Sequence, residues 1–155
     1  MLFLELGLPL LAVLCAGLFA GAAVYISLVE HPARMSCGTR LAVMEFAPSY
    51  RRATLLQAPL AAVGCLSGIA AWLMGSLATH LIGGLLLGAV IPFTLLVIVP
   101  TNKRLLDPLL DKDSQLAGEL LQRWGNLHAI RSCLSLASVV VLLYPMLVLN
   151  RALSL

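Results

Sequence analysis

Charge is scarce in this 155-residue sequence. Asp, Glu, Lys and Arg together make 11% of it, against about 25% in soluble globular domains. That shortage excludes an ordinary water-soluble domain, and also a disordered chain, which stays open because its composition is polar and charged. Aromatic residues make only 6%, and the ten Lys and Arg form no long basic run. The net charge of +3 is therefore not the footprint of a nucleic-acid surface, which needs clustered basic residues interleaved with aromatics. Four cysteines (Cys15, Cys37, Cys65, Cys133) show neither a Cys-x-x-Cys pair nor metal-ligand spacing. Three of them lie inside apolar runs and read as small hydrophobes, so a disulfide-stapled secreted module is excluded too.

What the sequence has is hydrophobic length. Apolar residues make 61% of it, gathered into four runs of about 20 residues, the length a helix needs to cross about 30 Å of hydrocarbon. The runs fall at about 6–29, 54–74, 81–99 and 128–149. They are continuous, not alternating, which argues for helices over strands. The expected fold is all-α: one integral membrane four-helix bundle over residues 1–155, with a partly amphipathic segment (Leu105 to Leu127) before the fourth span. No Lys or Arg precedes the first run, so it reads as a mature span and not as a cleaved signal peptide.

Nine of the ten basic residues fall in the two longer connections and the first turn of span four; only Arg151 lies on the other side. By the positive-inside rule both connections face the cytoplasm and both termini face away. A bacterial inner membrane is the expected setting. Arg34, Arg51, Arg52, Lys103 and Arg104 read as topology and headgroup charges. Three small-residue pairs, Gly17/Gly21, Gly64/Gly68 and Gly84/Gly88, sit one turn apart, where helices approach closely; they serve packing inside the bundle or, alternatively, a homo-oligomer. Pro92 is expected to bend span three.

Antiparallel alternation gathers polar residues at one leaflet: Ser27, Glu30 and His31 from span one, Thr54 and Gln57 from span two, Thr94, Thr101 and Asn102 from span three, and Trp124, His128 and Arg131 from span four. The other leaflet offers little beyond Glu5, His80 and Asn150. On span four, Trp124, His128, Arg131, Ser135 and Ser138 recur at intervals of four, three, four and three residues, so they share one face, which should point into the bundle. Ionisable groups inside a membrane are costly and usually partnered. Glu30 and Arg131 could alternatively form an ordinary interhelical ion pair. A metal could be held by His31, His128 and Glu30, two imidazoles and a carboxylate, although no spacing motif supports it.

The elements Gly17-Leu-Phe-Ala-Gly21, Glu30-His31-Pro32-Ala33-Arg34, Pro100-Thr-Asn102-Lys-Arg-Leu105 and Trp124-Gly-Asn-Leu-His128-Ala-Ile-Arg131 resemble a family of small four-span membrane proteins that includes the anthrone and noranthrone oxygenases. The resemblance covers nearly the whole chain. It implies a membrane bundle, oxygenation of an activated aromatic ketone, and a catalytic set of His128, Arg131, Asn102 and His31. Trp124, Glu30 and Gln57 are the expected substrate contacts. The reaction implied needs no cofactor, since a base can deprotonate the carbon acid and the enolate can reduce dioxygen. The alternatives are a non-enzymatic bundle that binds lipid or a partner, and a redox protein with a metal or haem on His31 and His128. The expected partners are the lipid bilayer and a hydrophobic small molecule.

Overall fold

The computed structural model describes the backbone of residues 2–153 and the side chains of residues 6–145. It is all-helical, with no strand among the described residues. Helix α1 (Leu2–Tyr25) runs through a π-turn (Ile26–Glu30) into α2 (His31–Ser36). Helix α3 (Thr39–Leu73) follows, then α4 (Ala78–Phe93), a second π-turn (Thr94–Ile98), α5 (Val99–Leu105) and α6 (Gln115–Leu153). Each π-turn lies directly before a helix that carries proline in its first positions, Pro32 in α2 and Pro100 in α5. Proline has no N–H to continue the i→i−4 ladder and its ring crowds the carbonyl one turn back. A locally widened turn accommodates both faults, and such turns are frequent at functional sites.

Among the described residues, four helical stretches are long and apolar enough to cross a membrane: Leu6–Ser36, Thr39–Leu73, Ala78–Leu105 and Gln115–Pro145. They hold 31, 35, 28 and 31 residues. At 1.5 Å per residue they are about 42–52 Å long, well beyond about 30 Å of hydrocarbon, so the bundle continues past the apolar layer. Two stretches expected as connections are largely helical for this reason. The chain from Glu30 to Ala53 forms α2 and the first turns of α3, whose Ala42, Val43 and Phe46 are buried at helical spacing. The segment before span four divides: 106–114 is a series of turns, and α6 begins at Gln115 with Ala117, Leu120 and Leu121 buried.

Helix α3 packs against α1 and α4, and α6 packs against the other sides of the same two helices. The four therefore form an antiparallel ring in which α3 and α6 stand at opposite corners. Gly38 and Gly75, the two residues with positive φ among those described (89° and 94°), turn the chain at the α2–α3 and α3–α4 junctions, a conformation that costs a residue with a Cβ. The α3–α4 contact is backbone on backbone: a Cβ at Gly68 would lie 2.6 Å from the His80 carbonyl oxygen and 2.9 Å from the Gly84 Cα. Gly64 and Gly88 are likewise filled by side chains of neighbouring helices, Leu87 and Cys15 for the first and Cys65 for the second. Gly17 and Gly21 meet nothing within 4 Å, so of the three expected small-residue stripes only two serve internal packing. Gly68→Ala should therefore cost about 1–3 kcal/mol through overpacking against backbone that cannot yield. Thermal unfolding in detergent checks this, with Gly17→Ala as a control that should not lower stability.

Two apolar clusters fill the ring. One joins Ala12, Ala16, Phe19 and Ala23 to Ala61, Leu87, Val90 and Leu142. The other, at the arginine-rich end, joins Ile26, Phe46 and Ile98 to Leu105, Leu121 and Trp124. Between them, along α1, α3 and α6, lies a layer of polar side chains.

Candidate functional site

The polar layer is built from three helices. The face expected on span four is present on α6: Trp124, His128, Ser135 and Ser138 are buried, and Arg131 is largely enclosed beside them. Ser138 donates to the Gly83 carbonyl (2.7 Å) and Ser135 to the Ser132 carbonyl (2.8 Å), so the lower part of the face is used up in packing. The upper part is not.

His128 Nδ1 lies 3.0 Å from the Ser27 hydroxyl of the first π-turn, and Ser27 Oγ lies 2.9 Å from Ser132 Oγ. Ser132 Oγ is also 3.1 Å from the carbonyl oxygens of Ala23 and His128. Carbonyl oxygens only accept, so the single hydroxyl hydrogen of Ser132 goes to them. Ser27 must then donate to Ser132, and His128 must donate Nδ1–H to Ser27. This is the one arrangement that satisfies all four contacts, and it leaves the lone pair of His128 on Nε2. Nitrogen NMR of the labelled imidazole should accordingly show Nδ1 protonated and Nε2 unprotonated. Ser27→Ala should remove that preference and populate both tautomers.

Trp124 stacks on His128, with ring centroids 4.7 Å apart and planes 26° from parallel. Phe46 meets Trp124 edge-on at 5.3 Å. His31 packs against the indole from another side, at 5.2 Å, and its imidazole fills the space that a Cβ at Gly125 would take. One turn below His128, Arg131 donates to the Gln57 amide oxygen and lies 5.0 Å from the Phe19 ring centre. Because guanidinium has no acceptor, the Gln57 oxygen faces it and the Gln57 NH2 points elsewhere.

Several buried polar atoms here have no protein partner: Gln57 Nε2, Arg131 Nε and Trp124 Nε1 among those lining the cavity beside His128. All three are N–H donors. An unmet buried donor costs about 1–3 kcal/mol, and an excess of one kind marks a place suited to a ligand of the opposite kind, an oxygen acceptor. The cavity itself is small, about 20 Å³, room for little more than a water molecule. Two larger spaces flank it: a groove of about 510 Å³ between α1 and α3, and a pocket of about 140 Å³ on the α3–α4 side. Gln57 lines all three.

Of the residues singled out from sequence, His128, Arg131, Trp124 and Gln57 come together around the small cavity. Glu30 lines the adjoining groove. His31 stands behind Trp124, outside the cavity lining. Asn102 is buried on α5, one turn from Ile98 and Leu105, with neither end of its amide partnered, and it does not line the cavity either. The expected Glu30–Arg131 ion pair does not form. Glu30 instead accepts from Arg34 one turn along and from Ser49 of α3. Arg34, expected among the headgroup charges, has a side chain only 4% exposed. It also pairs with Glu45 at 2.8 Å and lies 5.6 Å from the Trp124 ring centre. Its i,i+4 spacing from Glu30 was the available signal. Ser49, Tyr50 and Ser132 carry no motif that distinguishes them from other helix residues. His80, assigned to the far leaflet, is buried with Nδ1 3.3 Å from the Leu77 carbonyl; Glu5, Asn150 and Arg151 lie outside the residues whose side chains are described. Among the described residues no group of three or more His, Cys, Asp or Glu is placed to hold a metal ion. The set His31, His128 and Glu30 is therefore not assembled, since Glu30 is drawn to Arg34 and His31 faces the indole.

The family model described as anthrone oxygenase matches residues 46–141. The chain belongs to the anthrone oxygenase family. The matched part of this family member contains Gln57, Asn102, Trp124, His128 and Arg131, whereas Ser27, Glu30, His31 and Arg34 precede it. No curated protein and no solved structure matches the chain.

Proposed function

We propose that this anthrone oxygenase family member oxidises a hydrophobic aromatic ketone with dioxygen, in a bacterial inner membrane with both termini non-cytoplasmic and the site near the cytoplasmic leaflet. The observation that carries the reading is the pairing of an imidazole whose lone pair is held on Nε2 with three unmet N–H donors beside it. A base next to an oxyanion-binding set is what enolisation of a ketone requires. Donors fixed in a site that excludes water favour the charge as it develops.

In this mechanism Nε2 of His128 removes a proton from the methylene carbon opposite the ketone. Arg131 and Gln57 donate to the resulting enolate oxygen. The enolate carbon is oxidised by dioxygen in one-electron steps, a carbon–oxygen bond forms, and the His128 imidazolium returns its proton to give a hydroperoxide. Loss of the second proton from that carbon breaks the oxygen–oxygen bond, leaving a second carbonyl and releasing water. Each turnover consumes one dioxygen and converts one methylene to a carbonyl, so substrate loses four electrons and dioxygen gains them. Trp124 forms the wall against which His128 stacks, and Glu30 sits at the rim. His31 and Asn102, which line none of the cavity, act through the packing of Trp124 and of α5.

The test is oxygen uptake by the purified protein in lipid nanodiscs supplied with an anthrone. Uptake well above spontaneous autoxidation, equimolar with quinone formed, supports the reading. Uptake equal to that of empty nanodiscs overturns it.

A further inference from the structure

We infer that the groove between α1 and α3 is the binding site through which a planar polycyclic ketone reaches His128 from the bilayer. The inference rests on the reading above for its substrate class, but its geometry stands separately. The space beside His128, about 20 Å³, cannot take a ring system, so the body of any such ligand must occupy a neighbouring cavity. Sites for molecules of this size run to about 300–1,000 Å³. The groove, at about 510 Å³, falls in that range, and the α3–α4 pocket, at about 140 Å³, does not.

The groove also has the right walls. Ile26, Ser49, Ala53 and Gln57 line both it and the cavity around His128, so the two are separated by no more than these side chains. Small apolar residues stand on both walls, Ala22 on α1 and Ala53 on α3, which leaves width between the helices for a planar ring. At its lips Tyr25 and Leu56 are each 56% exposed, on helix segments that form part of the apolar spans, which opens the groove sideways toward lipid. At its floor Gln57 is 2% exposed with its NH2 unpartnered, a donor for the ketone oxygen of a molecule lying in the groove. The inner wall includes the widened π-turn at Ile26–Glu30, and a strap formed by Arg34, Glu30 and Ser49 ties that turn to α3. An aromatic ketone that has partitioned into the bilayer can thus slide between α1 and α3 and present its edge to His128 without passing through water.

The test uses anthraquinone, which binds without turning over, and quenching of Trp124 in a Trp72→Phe background. Ala22→Phe fills the groove alone and Ala58→Phe fills the α3–α4 pocket alone. The expected result is an anthraquinone Kd raised about tenfold or more by Ala22→Phe, as a clash of about 1.4 kcal/mol requires, and little changed by Ala58→Phe. Photocrosslinking of the unmodified protein with benzophenone, itself a diaryl ketone, avoids any folding defect of the variants and should label Tyr25 or Leu56. The inference is overturned by the reverse pattern, by labelling confined to Ile91 and Leu95 of the other pocket, or by the absence of any quenching. Groove-dependent binding without oxygen uptake would sink the oxygenase reading alone. Oxygen uptake with kcat/KM untouched by Ala22→Phe would sink the groove alone.

Discussion

His128→Ala lowers the rate of oxygen uptake with an anthrone by about 10²–10⁴-fold, the usual contribution of a positioned general base, while the protein keeps its melting temperature in detergent within a few degrees. The loss falls on kcat, because the donors that hold the ketone oxygen, Gln57 Nε2 and Arg131, stay in place. His128→Asn separates the two roles of the ring. Its amide can keep a hydrogen bond to Ser27, which lies 3.0 Å from Nδ1, but it supplies no base, so it should fold as well as the parent and remain inactive. Ser27→Ala is expected to act more mildly, since it removes no reacting group and only releases the tautomer that Ser27 and Ser132 select. Rates in the two His128 variants equal to the parent's would show that Nε2 is not the base.

The largest effect on stability is expected at Arg34. Its guanidinium is buried between Glu30 and Glu45 and donates to Ser49 at 3.2 Å, so Arg34→Leu strands two carboxylates that pair with no other cation among the described residues. Removing one partner of a buried pair typically costs 3–5 kcal/mol. The expected value here is about 3 kcal/mol, at the low end of that range, because the Glu45 side chain is 44% exposed and can recover some hydration. The triple change Arg34→Leu, Glu30→Gln, Glu45→Gln should regain most of the loss, since no stranded charge remains. Denaturant or thermal unfolding of both proteins in the same detergent checks it. A single Arg34→Leu as stable as the parent would mean that the cluster is hydrated and its ion pairs contribute little.

Pro32 and Pro100 show how far local sequence reaches. Each removes a rung of the regular ladder, and a π-turn precedes each, but Pro48 and Pro59 sit inside α3 with no such turn, so proline alone does not dictate the widening. Nor does it fix which way the chain continues. The π-turn at Ile26–Glu30 turns Ser27 toward α6, where it meets His128 and Ser132 more than 100 residues away in the chain. Pro92 lies near the end of α4, and the chain passes into the second π-turn within two residues.

The sequence by itself determined that this protein is a helical membrane bundle of four spans. Composition and uninterrupted apolar length suffice for that, because a backbone in hydrocarbon must satisfy its own hydrogen bonds. It also determined that one face of span four is buried, since the spacing of Trp124, His128, Arg131, Ser135 and Ser138 is a property of a single helix. Only the tertiary structure decided what that face meets. The rotation of α1 and α3 about their axes, and their offset along them, choose Ser27 and not His31 for His128, Gln57 and not Glu30 for Arg131, and Glu30 with Glu45 for Arg34. Close contacts hold those rotations, such as Gly64 of α3 against Cys15 of α1 and Gly68 of α3 against Gly84 of α4. They are a property of pairs of helices, which no period along one chain encodes.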